Sequence, residues 1–199
     1  MNDERAIQPM TEAEERADTQ VFGLWLYLMT DLIIFGVLFA VYFVLRGATF
    51  GGPATYDLFS LRSALAETIV LLTSSFTCGL ALIAAQRGKA NQTIGWLVAT
   101  FGLGAAFLAL ELSELGRFVA TGASPSRSAF LSAFFTLVGT HGLHIAVGLL
   151  WIAVAIVQVR LRGLTAGTRS KLTRFALFWH FLDIVWIFIF SAVYLYGII

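Results

Sequence analysis

Eight ionisable side chains stand inside otherwise apolar runs of this 199-residue chain: Asp31, Glu67, Glu111, Glu114, His141, His144, His180 and Asp183. Six of them form pairs at i, i+3 spacing, Glu111 with Glu114, His141 with His144 and His180 with Asp183. On a helix each pair shares one face. Such pairs could ligate a metal, hold or pass protons, or hydrogen-bond one helix to the next. Carboxylate-bridged di-metal bundles need Glu-x-x-His on facing helices, and that spacing does not occur here. Three histidines are also too few for haem pairs plus a copper centre, or for a His-box oxygenase. No metal site and no cofactor site is therefore expected in this chain.

Other chemistries fail on motif. There is no Gly-x-Ser-x-Gly for a serine nucleophile, and Gly102-Leu103-Gly104 lacks the third glycine and the strand of a dinucleotide loop. Cys78, the single cysteine, has no CxxC context and reads as a buried small hydrophobe. No catalytic residue is assigned. Two roles remain open for the eight: interhelical hydrogen-bonding, and proton holding, the latter chiefly for Asp31. That residue sits in Leu-Met-Thr-Asp-Leu-Ile-Ile, with no basic residue in its span.

The elements that must position these groups follow from composition. Hydrophobic residues make up 58% of the chain and charged residues 13%, about half the charge content of a soluble domain. Five apolar segments, Val21–Leu45, Ala64–Gln86, Ile94–Leu115, Ala129–Val159 and Phe175–Ile199, each exceed the roughly 18 residues that mark a bilayer span. They do not alternate as barrel strands would. The fold class is all-α, a polytopic membrane protein with five transmembrane helices in one bundle. A formal net charge of +1 leaves no basic patch for nucleic acid.

The connections carry turn residues: Gly51-Gly52-Pro53, Gly122-Ala123-Ser124-Pro125, and Gly163 with Gly167. Lys and Arg number nine in the loops on the N-terminal side and four on the other. The positive-inside rule then puts the N-terminus in the cytoplasm and the C-terminus in the periplasm. Residues 1–20, with six acids against two arginines, read as an acidic cytoplasmic tail, and residues 21–199 as the membrane domain. Trp25, Tyr27, Trp96, Trp179, Tyr194 and Tyr196 fall near span ends, where interfacial anchors sit. Ser128 with Ser132, and Ala81 with Ala85, are small residues at the spacing of close helix contacts. At about 1.5 Å per residue, Asp31, His180 and Asp183 lie roughly 9 to 15 Å from the cytoplasmic end, with His144 near the middle and within their reach. Glu67, Glu111 and Glu114 fall toward the outer side, with His141 central.

Two long motifs then stand out: Phe130-Leu-Ser-Ala-Phe-Phe-Thr-Leu-Val-Gly-Thr-His-Gly-Leu-His144, and Phe178-Trp-His-Phe-Leu-Asp-Ile-Val-Trp186. With Trp25-Leu-Tyr-Leu-Met-Thr-Asp31, Glu67-Thr-Ile-Val-Leu-Leu-Thr-Ser-Ser75 and Glu111-Leu-Ser-Glu114, they resemble subunit III of the haem-copper oxidases over all five spans. The chain looks like the shorter, five-span form, most similar to the cytochrome bo-type, ubiquinol-oxidising branch, with cytochrome c oxidase subunit III as the alternative. The resemblance implies a non-catalytic accessory subunit of a proton-translocating terminal oxidase in the bacterial inner membrane. It implies packing on subunit I, which would carry the haem and copper, alongside subunit II and a small subunit IV. It also implies bound phospholipid, and ubiquinol as substrate of the complex. The family carries a buried carboxylate, usually glutamate in the seven-span branch, where this chain has Asp31, one methylene shorter. A reading from another class is a free-standing small proton channel or transporter, although no internal repeat supports it.

Overall fold

The computed structural model describes residues 12–49 and 61–195. Five long α-helices account for nearly all of them: α1 (Glu12–Leu45), α2 (Leu61–Gln86), α3 (Ala90–Ala120), α4 (Ala129–Arg162) and α5 (Ala166–Ile189). A π-helical turn, Phe190–Leu195, continues α5. All five helices are long and apolar enough to cross a membrane, and among the described residues there is no strand. In lipid every backbone N–H and C=O must be satisfied within its own segment, and helices do this.

The helices outrun the apolar runs. α1 starts at Glu12, inside the stretch read as a tail, because Glu, Ala and Arg there are good helix formers. α5 begins nine residues before Phe175 for the same reason: Lys171 and Arg174 lower the hydropathy without breaking the helix. His180 thus lies at the centre of the Ala166–Leu195 span, as Asp31 does in Thr19–Leu45.

Glycine and hydroxyl side chains set the ends. Gly88, Gly122 and Gly163 have φ of 74°, 85° and 67°, the left-handed region that glycine enters without a Cβ penalty. Gly167, expected in a turn, lies in the first turn of α5. Residues 51–53 are outside the described part. Ser128 caps α4, its Oγ accepting the Leu131 N–H at 3.2 Å, and Thr165 caps α5 in the same way through Thr168. Ser132 donates to the Pro125 carbonyl and is exposed. The Ser128/Ser132 pair therefore closes a turn instead of joining two helices, whereas Ala81 and Ala85 are buried in the bundle. Ser128→Ala should lower stability by about 1 kcal/mol, the usual worth of a cap, and would show as a lower unfolding midpoint of the detergent-solubilised protein.

Sequential helices pack as neighbours from α2 to α5, and α5 returns against α2 to close a four-helix ring. α1 lies outside that ring against α4 and α5. The interior is aromatic, with Trp179, Trp186, Phe107, Phe130, Phe134, Phe175 and Phe178 all within 1% of full burial. Two glycines make room for Trp179. A Cβ built on Gly148 would stand 2.6 Å from its Cζ3, and one on Gly104 2.9 Å from its Cη2. The indole Nε1 donates to Ser74 Oγ at 3.2 Å, tying α5 to α2, and Ser74 donates onward to the Thr100 carbonyl on α3. Trp179, expected as an interfacial anchor, is instead the centre of the core. Trp25, Tyr27 and Trp96 are 49%, 45% and 39% exposed.

Candidate functional site

The eight ionisable residues occupy three polar centres and one aromatic cage. The first centre joins α1 to α4. His144 Nε2 lies 3.6 Å from Asp31 Oδ2, and His144 Nδ1 is 2.7 Å from the Thr140 carbonyl, the acceptor one turn back. A carbonyl can only accept, so Nδ1 donates to it, and the Nε2–Asp31 contact becomes attractive when a second proton sits on Nε2 or on the acid. The Phe35 ring, 5.4 Å from the imidazole centroid, covers the pair. Asp31 is 4% exposed.

The second centre gathers Glu67, Glu111 and Glu114 at the ends of α2 and α3 remote from the α2–α3 turn. All three are buried. Glu114 holds three elements together: Ser63 donates to Oε1 and Tyr194 to Oε2, each at 3.1 Å. Arg117 reaches Oε1 at 3.5 Å from a side chain 58% exposed. The π turn places Tyr194 here, so this residue is a buried hydrogen-bond donor and not the interfacial anchor expected. Glu111 has no hydrogen-bond partner among the described residues, and neither does Oε2 of Glu67. The Glu111 oxygens press on α4 where Gly142 lacks a side chain, a Cβ there coming within 3.0 and 3.2 Å of them.

The third centre bridges α2 and α5. His180 Nδ1 is 2.6 Å from Ser75 Oγ and 3.6 Å from Asp183 Oδ2. Serine, histidine and aspartate together suggest a catalytic triad, but the geometry denies it. A triad needs serine on one ring nitrogen and the carboxylate on the other, so that the imidazole takes the serine proton while being held. Here both approach Nδ1. His180 and Asp31 belong to separate centres, the one between α2 and α5 and the other between α1 and α4.

His141 belongs to none of the three. It is fully buried, and neither ring nitrogen finds a hydrogen bond among the described residues. Its ring sits among Trp186 at 5.3 Å, Phe107 at 5.9 Å and Phe35 at 6.4 Å between centroids. Among the described residues no three His, Cys, Asp or Glu side chains converge as metal ligands. The contacts run from helix to helix, and Asp31, Glu67, Glu111, Glu114, His141 and Asp183 are buried inside the bundle, away from lipid, where an unpaired charge at mid-helix costs about 3 kcal/mol on insertion scales.

Sequence reading missed Ser63, Ser75 and Tyr194 as partners. Arg117 was within reach of the same logic, lying i, i+3 from Glu114. The serines had a weaker signal, hydroxyls in otherwise apolar helices.

A five-helix bundle that gathers ionisable groups where its helices meet defines a polytopic membrane subunit. Comparison with known families narrows the class. Residues 13–198 match the family model described as cytochrome c oxidase subunit III, and the chain belongs to that family. It is 52% identical over 185 residues to cytochrome bo(3) ubiquinol oxidase subunit 3 of Pseudomonas aeruginosa, covering 93% of this chain and 88% of the relative. It is 43% identical over 190 residues to quinol oxidase subunit 3 of Bacillus subtilis, covering 96% and 93%. It is 44% identical to cytochrome bo(3) ubiquinol oxidase subunit 3 of Buchnera aphidicola, covering 92% and 97%.

Proposed function

We propose that this chain is the accessory subunit III of a ubiquinol-oxidising, oxygen-reducing terminal oxidase in a bacterial inner membrane. The observation that carries the reading is near full-length similarity, at 43–52% identity, to proteins named as quinol oxidase subunits. The internal geometry agrees with a supporting role, since the polar centres join α1 to α4, α2 to α5 and the α2 and α3 ends to the π turn. Haem and copper belong, on this reading, to subunit I, with subunit II and a small subunit IV completing the complex. The N-terminus faces the cytoplasm, supported by the nine-to-four distribution of loop cations, and the acidic N-terminal segment, largely outside the described residues, stays in water. Bound phospholipid and support of proton uptake complete the proposal.

Affinity purification of the tagged chain in mild detergent tests it. Haem-bearing partners and quinol-dependent oxygen uptake are the expected result. A colourless, partner-free chain would overturn it and favour a free-standing transporter. Within the complex, Asp31→Ala should leave haem content unchanged but shorten the life of the enzyme under turnover, because α1 loses its tie to His144. Oxygen uptake followed over many cycles measures that lifetime, and an immediate loss of haem would contradict a peripheral role.

A further inference from the structure

We propose that the outer polar centre, where Glu67, Glu111 and Glu114 gather, is a proton-holding site with Glu111 as its neutral acid. This goes beyond the accessory-subunit reading and stands on the geometry of this chain alone. The three carboxyls differ in what answers them. Glu114 receives Ser63 on Oε1 and Tyr194 on Oε2, each at 3.1 Å, and has the Arg117 guanidinium 3.5 Å from Oε1. Two hydroxyl donors and a cation fit the carboxylate form, which can only accept. Glu114 and Arg117 then cancel in charge.

Glu111 is the opposite case. It is 2% exposed, and neither of its oxygens meets a donor among the described residues. Both lean on α4 at Gly142, where a Cβ would stand 3.0 and 3.2 Å from them. That wall has no N–H to give, because α4 is helical through this stretch and its amides serve its own carbonyls. His141, next in the chain, sits in its aromatic cage and makes no hydrogen bond among the described residues. The charges that act on Glu111 are those of Glu67 and Glu114. Tyr194 of the π turn is taken by Glu114, and Arg62, in the first turn of α2, is exposed. Among the described residues Arg117 is the one cation in ion-pair contact with a carboxyl of this centre.

An ionised Glu111 would therefore add a negative charge beside Glu114 with neither donor nor counterion, in an apolar span where such groups are paired or neutral. A proton removes that charge and turns one oxygen into a donor. Glu67 has the matching deficit, since its Oε2 is buried and lacks a donor among the described residues. One proton held between Glu67 and Glu111 answers both, as in other sites where two carboxyls cannot both ionise. Arg117, 58% exposed, puts the edge of the centre within reach of solvent, so the proton can exchange.

Infrared spectroscopy of the tagged chain, purified with whatever accompanies it at neutral pH, tests the assignment. A protonated carboxyl has a C=O stretch separate from the carboxylate bands, and the stretch moves in D2O when the proton exchanges. Glu111→Gln should remove one such band while leaving recovery of the chain unchanged, because an amide has the shape of a neutral acid. Glu67→Gln should displace the same band. Glu111→Asp, which keeps an acid, should retain a band at a shifted position and serves if the glutamine variant folds poorly. An unaltered spectrum in a well-recovered Glu111→Gln protein overturns the proposal, because Glu111 is then ionised and solvated by bound water. A band that ignores D2O overturns it too, leaving a sealed acid of structural use only. A chain that brings down no haem-bearing partner overturns the accessory-subunit reading and not this one, since the band belongs to the chain itself.

Discussion

Gly148→Leu is expected to abolish the folded bundle and to strip the subunit from its complex. Even a single Cβ at this position enters to 2.6 Å from Cζ3 of Trp179 and 2.9 Å from Cε3. The indole cannot step aside, because it is fully buried, held by Ser74 through Nε1, and backed by Phe175 at 5.7 Å. Gly104 closes the opposite direction, where a Cβ would also meet the indole at 2.9 Å. Overpacking by one or two methylenes typically costs about 1–3 kcal/mol, so Gly148→Ala should retain a weakened subunit. The four-carbon side chain has nowhere to go. The measurement is the amount of this chain copurifying with its partners at equal expression. Normal recovery of Gly148→Leu would mean that α4 and α5 pack less closely than described.

Trp186→Ala is the second large effect. The indole packs edge-on to Phe107 at 4.7 Å, lies beside His141 and Tyr194, and donates to Thr68 Oγ1 at 3.1 Å. In a soluble core such a truncation costs about 3–5 kcal/mol, part transfer from water and part cavity. Within a bilayer the transfer contribution falls away, because lipid is as apolar as the core, and the packing contribution remains. A loss of about 2–3 kcal/mol is expected, seen as a lower temperature at which the detergent-solubilised subunit unfolds. Trp186→Phe separates the contributions. It keeps most of the ring volume and loses the bond to Thr68, for about 0.6 kcal/mol. Equal destabilisation by the two variants would assign the effect to the hydrogen bond and leave packing a minor share.

The fold was legible because membrane insertion imposes a coarse rule, about twenty apolar residues per span, and five runs obey it. The burial of most of the eight ionisable groups was legible from type, because such groups in an apolar span must face something other than lipid. What they face was not. Whether Tyr194 points to the interface or to Glu114 depends on the π turn at the end of α5, which the sequence does not announce. Trp179 likewise has the composition of an anchor and the position of a core residue. The glycines that admit it lie 31 and 75 residues earlier in the chain, so only the packed helices reveal the fit. Helix starts were set too late because hydropathy marks where the apolar run begins, whereas propensity decides where the helix does.

The outlying position of α1 also has a consequence in time. Chains are made from the N-terminus at roughly 5–20 residues per second, and His144 follows Asp31 by roughly 110 residues. For about 6 to 20 s after its own synthesis, α1 therefore has neither His144 nor the α4 and α5 surfaces it will rest on. Throughout that interval Asp31 has only its own helix to answer it, in the Tyr27 side chain one turn back, and the first span waits for the surfaces that will seat it.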